Sequence, residues 1–276
     1  MTQSRSMSIA LVAFVTCMCN LSVNENLLAQ DFRVYTRIYD LSKPAGSSKE
    51  GPAVVGRIMS LFHHGQVYDY IDGVGQVTVF DPVQRRFIIM NGKQMISTVV
   101  EFDEVTQWVK LAESRAKEKA DTLRLLKDKE SLNTMRLLEF LMVPEFETTM
   151  KDKQLSLRSR VIDYEVTTVK PKHAEAVDAY LKYADWIKRM NSMMHPEGLL
   201  PAPRIALNAE LRKRRLLATE VNLSVKIEQP IRLRAVHQIY WSLGPSDRQD
   251  IARWKKRINH PDMQKLSMRE YLAAIQ

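Results

Sequence analysis

Between residues 31 and 102 the chain is cut into short apolar runs by residue pairs that serve tight turns. The runs cover residues 54–62, 67–71, 76–80, 86–90 and 95–100, and His64-Gly65, Asp72-Gly73, Asp81-Pro82 and Asn91-Gly92 stand between them. Asn-Gly and Asp-Gly supply the positive φ that short hairpin loops demand. The gaps are too short for crossovers, so this pattern predicts an antiparallel meander. Residues 32–41 form an earlier strand, with Phe32, Val34, Thr36 and Ile38 on one side and Arg33, Tyr35, Arg37 and Tyr39 on the other. A loop rich in Pro, Gly and Ser follows at residues 44–52.

At Asp103 the period changes. Val105, Trp108, Val109, Ala112, Ala116, Ala120, Leu123 and Leu126 recur at helical spacing, and Asp103 is the expected N-cap. A second helix is predicted over residues 131–142, ending before Pro144. Residues 158–168 read as a strand. Residues 172–194 return to a helix, with Ala176, Tyr180, Tyr183, Trp186, Ile187 and Met190 as its apolar stripe. Pro201 and Pro203 introduce a further helix over residues 204–217.

The clearest alternation follows. Thr219, Val221, Leu223, Val225 and Ile227 alternate with Glu220, Asn222, Ser224, Lys226 and Glu228, which predicts one buried and one wet face. Beyond Gln229-Pro230 a partner strand runs to Trp241, with Ile231, Leu233, Ala235, His237, Ile239 and Trp241 on one face. A helix capped by Ser246, with Gln249 three residues later, buries Ile251, Trp254 and Ile258. The last ten residues suit one more amphipathic turn.

The N-terminus has a different character. Arg5 precedes an uninterrupted apolar stretch over residues 9–15, continued by Thr16, Cys17, Met18 and Cys19. That run is too short to span a bilayer but fits the core of a secretory signal peptide, with cleavage expected after Ala29. The chain is therefore expected to be exported, periplasmic or secreted, with no transmembrane segment once residues 1–29 are removed. Both cysteines lie in that segment, so the remaining chain has neither a disulfide nor a thiolate metal site.

The net charge is +9, which favours anionic partners such as a membrane or envelope surface. Export argues against nucleic acid. Much of the positive charge sits in Arg212, Lys213, Arg214 and Arg215 and in Arg253, Lys255, Lys256 and Arg257, the candidate contacts for an anionic partner.

No catalytic, cofactor or metal motif emerges. His63 and His64, adjacent on a strand, are expected to point to opposite faces and not to share a metal. His237 falls on the apolar face of its strand and calls for a buried polar partner. Gly73-Val74-Gly75 lies in a turn and is not followed by a helix, so it is no dinucleotide loop. Asp69 and Asp72 fall on opposite faces of their strand, and Asp72 serves the turn. No cofactor is implied.

Tyr68, Tyr70, Phe80 and Phe87 in the meander, with Trp108, Trp186, Trp241 and Trp254 on the covering elements, suit a curved sheet packed against helices. The exported meander, its Asp81-Pro82 turn entering residues 86–90, and the covering helix resemble the LolA-like lipoprotein-carrier half-barrels. The Tyr164-Glu165-Val166-Thr167-Thr168 strand, the Ala184-Asp185-Trp186 helix and the segment 203–214 also resemble uncharacterised exported bacterial proteins, which carry no assigned activity.

The reading is an α+β protein: a curved antiparallel, half-barrel-like sheet covered by helices. It forms a single domain over residues 30–276, with a β-meander to 102, a mainly helical part over 103–217 and a hairpin plus helix over 218–258. The leading functional expectation is a non-enzymatic exported protein binding an apolar or amphipathic, lipid-like ligand in the sheet's concave face. The alternatives are an envelope interaction protein docking an acidic partner through its basic helices, and a hydrolase without a recognisable motif.

Overall fold

The computed structural model describes residues 31–42, 52–126, 128–226 and 230–275. The expected signal segment with its cysteines, most of the 44–52 loop, and residues 227 and 228 of the late hairpin lie outside the described residues. Among those described, no helix is long and apolar enough to cross a membrane.

The described residues form an α+β structure on one open, curved sheet of twelve strands. The first six strands are consecutive: β1 (Phe32–Asp40), β2 (Val54–His63), β3 (Gln66–Ile71), β4 (Gln76–Asp81), β5 (Arg86–Asn91) and β6 (Ile96–Glu101). Each pairs antiparallel with the next. Their turns fall at the expected pairs. His64 and Gly65 both take positive φ, 50° and 77°, as a two-residue hairpin loop requires. Asn91 Oδ1 accepts the N–H groups of Lys93 and Gln94, closing the β5–β6 turn.

Two helices follow, α1 (Phe102–Leu126) and α2 (Lys129–Met142). The expected cap at Asp103 is not formed. The helix starts one residue earlier, Glu104 Oε2 accepts the N–H of Glu101 at 2.8 Å, and Asp103 pairs with Arg85.

The expected strand at 158–168 is β9 (Ile162–Val169), shortened at its start and preceded by a hairpin the sequence pattern does not announce. β7 (Glu147–Lys151) and β8 (Gln154–Arg158) make that hairpin, and β9 pairs with β8. Ser159 Oγ accepts the N–H groups of Val161 and Ile162 and breaks the strand between β8 and β9. The hairpin escapes the pattern because β7 is mostly exposed and its turn uses Asp152 at φ 54° in place of glycine.

The helices α3 (Glu175–Met194) and α4 (Ala202–Arg214) come next. The latter ends three residues before the expected boundary. Arg215 takes a left-handed conformation and Leu216 N–H reaches back to Leu211 O, which stops the helix. Leu217 then opens β10 (Leu217–Val225), and β11 (Ile231–Tyr240) follows it. The closing elements are α5 (Pro245–Ile258), β12 (Gln264–Lys265) and α6 (Met268–Ile275). The cap of α5 is Gly244, whose N–H donates to Asp247 Oδ2 at 2.8 Å, in place of the expected Ser246 and Gln249.

The strand order is β12-β6-β5-β4-β3-β2-β1-β11-β10-β9-β8-β7. Two antiparallel meanders are thus joined where β11 lies beside β1, with Thr36 opposite His237. The main core lies on the face covered by α3, where Phe62, Phe80, Phe87 and Ile89 meet Tyr183, Ala184 and Leu181. A second core lies on the other face, where Leu61, Tyr68, Val77 and Met90 meet Ile251 and Trp254 of α5.

Successive side chains of a strand point to opposite faces, so Leu61 and Phe62, or Val79 and Phe80, enter different cores. This double burial explains why β3 to β5 read as near-continuous apolar runs while β1 and β11 alternate.

Candidate functional site

Where α3 and α4 cross the junction of the two meanders, they do not fill the space above the sheet. The residues there are short or polar: Thr36 on β1, Ser60 on β2, Ala235 and His237 on β11, with Ala184 above them on α3. Large side chains such as Phe32, Phe62 and Phe80 occupy neighbouring parts of the same core. The result is a cavity of about 280 Å³. Ile38, Ile58, Ile187, Leu199, Leu200 and Leu223 supply its apolar wall. Asn191, among the lining residues, is exposed, so the cavity opens to solvent on that side.

Two cross-strand pairs carry the buried polar groups of this cavity. Ser60 stands directly opposite Asp69 on β3, and its hydroxyl donates to Asp69 Oδ1 at 2.5 Å. Tyr183, from α3, is the second hydroxyl hydrogen-bonded to this carboxyl. Burial pushes the Asp69 pKa up to about 6, with the two hydroxyls pulling in the opposite direction. The phenol of Tyr183 is raised well above its ordinary range, by burial first and then by the adjacent Asp69 charge.

Thr36 and His237 form the other pair, with Thr36 Oγ1 and His237 Nδ1 2.9 Å apart. His237 is 9% exposed, and its Nε2 has no hydrogen-bond partner among the described residues. Burial and then the charge of Arg204 lower its pKa to about 3, so the ring is neutral near pH 7. The expectation of a buried polar partner for His237 is met by Thr36, on one nitrogen only.

Two cations reach the same cavity: Lys188 from α3 and Arg204 from the first turn of α4. Burial, followed by the Arg204 charge, lowers the Lys188 pKa. Among the described residues neither cation has an ion-pair partner.

The serine hydroxyl is therefore committed to a carboxyl and the imidazole to a threonine. The nucleophile–imidazole–carboxylate order of a hydrolytic relay is not assembled from these groups. What the arrangement offers is an apolar wall with a few polar and cationic groups fixed upon it, the usual composition of a small-molecule site.

Of these residues, sequence reasoning kept His237 as a candidate and weighed Asp69 only as a pair with Asp72. Asp69 carried a detectable signal: a carboxylate in the middle of an apolar run that is buried on both faces. Lys188 and Arg204 carried none, since single cations on amphipathic helices are commonplace.

The two basic clusters lie elsewhere and are largely engaged. Arg212 pairs with Asp185, Arg214 with Glu210 and Arg215 with Asp178, while Lys213 is exposed. Arg253 pairs with Asp250, Arg257 donates to Gly92 O, Lys255 lies over the Tyr68 ring, and Lys256 is exposed. Arg253 and Arg257 also line a second cavity, of about 420 Å³, between α5 and the opposite face of the sheet.

One sequence expectation is overturned at the β2–β3 turn. His63 and His64 do not diverge, because the left-handed backbone at His64 breaks the strand alternation. Their ring centroids are 4.0 Å apart, and with Asp31 they present potential metal-ligating atoms within 4.8 Å of one another. His63 Nδ1 bonds Asp31 Oδ1 at 2.9 Å and Arg248 takes the other carboxylate oxygen.

No protein-family model matches this chain, and no curated protein matches it either.

Proposed function

We propose that this chain is an exported, non-enzymatic binding protein that holds an apolar or amphipathic, lipid-like small molecule in the cavity between the sheet and α3–α4. The observation that carries the reading is the cavity itself: about 280 Å³, walled by aliphatic side chains, in the core layer between sheet and helices. Apolar lining atoms there face water instead of packing against a neighbour, which forfeits burial and van der Waals contact. A bound molecule would restore those contacts.

Residues 30–276 are read as one α+β domain, because a single sheet runs through both halves. The curved sheet is read as half-barrel-like, in the manner of the carriers it resembles. Export rests on the apolar stretch over residues 9–15 and the small residue Ala29.

The size limits the occupant. At about 280 Å³ the cavity lies at the lower edge of the roughly 300–1,000 Å³ typical of small-molecule sites. It suits one short acyl chain or a ring system better than a two-chain lipid.

Mass spectrometry of organic extracts from the natively exported protein tests this reading, together with the Ala184→Trp variant, whose indole fills the space above Thr36 and His237. The wild-type protein should release an amphiphile that the filled variant does not retain. A wild-type protein that carries no such molecule and binds no apolar fluorescent probe would overturn the reading.

A further inference from the structure

We propose that the occupant of this cavity carries a single oxyanion head, seated by Lys188 and Arg204, with its apolar part lying against Ile38, Ile58 and Leu223. The inference rests on the reading that the cavity holds a ligand, and it specifies that ligand's chemical class.

A cation brought into an apolar site needs an anion or a set of hydrogen-bond acceptors. The later partly buried cations of α4 obey this rule: Arg212 and Arg214 each meet a carboxylate. Arg204, on the same helix but at the cavity, meets none among the described residues, and neither does Lys188. Each is half-buried, and the Arg204 charge disfavours the ammonium form of Lys188.

The carboxylate on the cavity floor does not answer for them. Asp69 is committed to Ser60 and Tyr183, and burial raises its pKa to about 6. A pair of positive charges thus sits in a site whose own acid is otherwise engaged. An incoming oxyanion would satisfy both, with Arg204 offering a planar fork and Lys188 a point charge.

Two further features agree with an anion at this place. The first turn of α4 has no acidic residue and no side-chain cap, so no side chain of that turn meets the partial positive charge of this 13-residue helix. Within the cavity, His237 Nε2 is a buried polar atom without a partner, available to a second polar atom of the ligand.

Binding of decanoate, decyl phosphate and decanol to the full chain, followed by calorimetry at low and moderate salt, tests the proposal. Decanoate or decyl phosphate should bind about tenfold or more tightly than decanol. Lys188→Met and Arg204→Met, which keep much of the side-chain volume, should each remove most of that preference while leaving decanol affinity within about twofold. The better of the two anions identifies the head group as carboxylate or phosphate.

Equal affinity for decanol and the two anions overturns the oxyanion head but leaves a neutral-ligand site standing. Anion binding that both methionine variants retain in full also overturns it. If no probe binds and Ala184→Trp changes nothing, the cavity reading fails and this inference with it. Circular dichroism of each variant confirms that it is folded.

Discussion

Ser60 and Asp69 face one another across β2 and β3, and the serine hydroxyl holds the carboxyl at 2.5 Å beneath Tyr183. This is a carboxyl kept inside a protein core by hydroxyl donors alone. Its pKa is raised from 3.8 to about 6 because burial outweighs those donors.

The pH dependence of stability follows from that shift. Between about pH 4 and 6 the folded protein retains a proton that the unfolded chain has lost, so stability falls as pH rises through this window. Asp69→Asn removes the titration. It should raise the melting temperature near pH 7.5 and change it little near pH 4. Equal shifts at both pH values, read by thermal melts, would show that Asp69 does not titrate in this range.

His237 has the opposite slope. Its pKa falls from 6.5 to about 3 in the fold, so the unfolded chain takes up a proton first and stability is lost as pH falls below about 6.5. The groups acting on it are Thr36, the Tyr180 ring and Arg204. The double variant Thr36→Val, His237→Leu removes both partners of the pair, so no buried hydroxyl is stranded. Its stability should depend less on pH between 6.5 and 4 than that of the wild type, in denaturant titrations. An unchanged slope would show that the ring is not protonated on unfolding in this range.

On the opposite face, Trp254 docks α5 by stacking near Tyr70 and Tyr68, with centroid distances of 5.7 and 6.5 Å. It is 5% exposed. Trp254→Ala should cost about 3–5 kcal/mol. Because the sheet separates this core from the α3 cavity, the affinity of the folded variant for an apolar probe should stay unchanged. A parallel loss of probe binding would show that the two faces are coupled.

Asp247 serves two partners at once. One oxygen caps α5 at the Gly244 N–H, and the other meets Arg33 Nη1 at 3.0 Å, with the aspartate itself buried. Asp247→Ala should cost about 2 kcal/mol or more, the sum of a lost cap and a lost partly buried ion pair. Asp247→Asn should cost clearly less, since its amide oxygen can still cap the helix. Chemical denaturation distinguishes them, and equal losses would assign the whole effect to the charge.

The strands of the first meander and their turns were legible because hairpin pairing is local. Asp72-Gly73 and Asn91-Gly92 announce where the chain reverses, and the adjacent apolar runs pair with their nearest neighbours. The α3 stripe was legible for the same reason, since periodicity alone marks its buried side. The β7–β8 hairpin was not, because its turn relies on Asp152 and its outer strand buries almost nothing. The caps at the starts of α1 and α5 were misplaced by one or two residues, since several acceptors compete at a helix start and packing chooses among them.

The sequence by itself determined an antiparallel meander, a set of amphipathic helices and a late hairpin, because each follows from spacing within a few residues. Only the tertiary structure decided that β11 pairs with β1, that β2 to β5 are buried on both faces, and that Ser60, Asp69, Lys188, Arg204 and His237 meet at one cavity. The decisive contacts, such as Thr36 with His237, join residues more than a hundred positions apart. They depend on which strand edges meet and where side chains are too short to fill the space between layers, and neither leaves a local period in the chain.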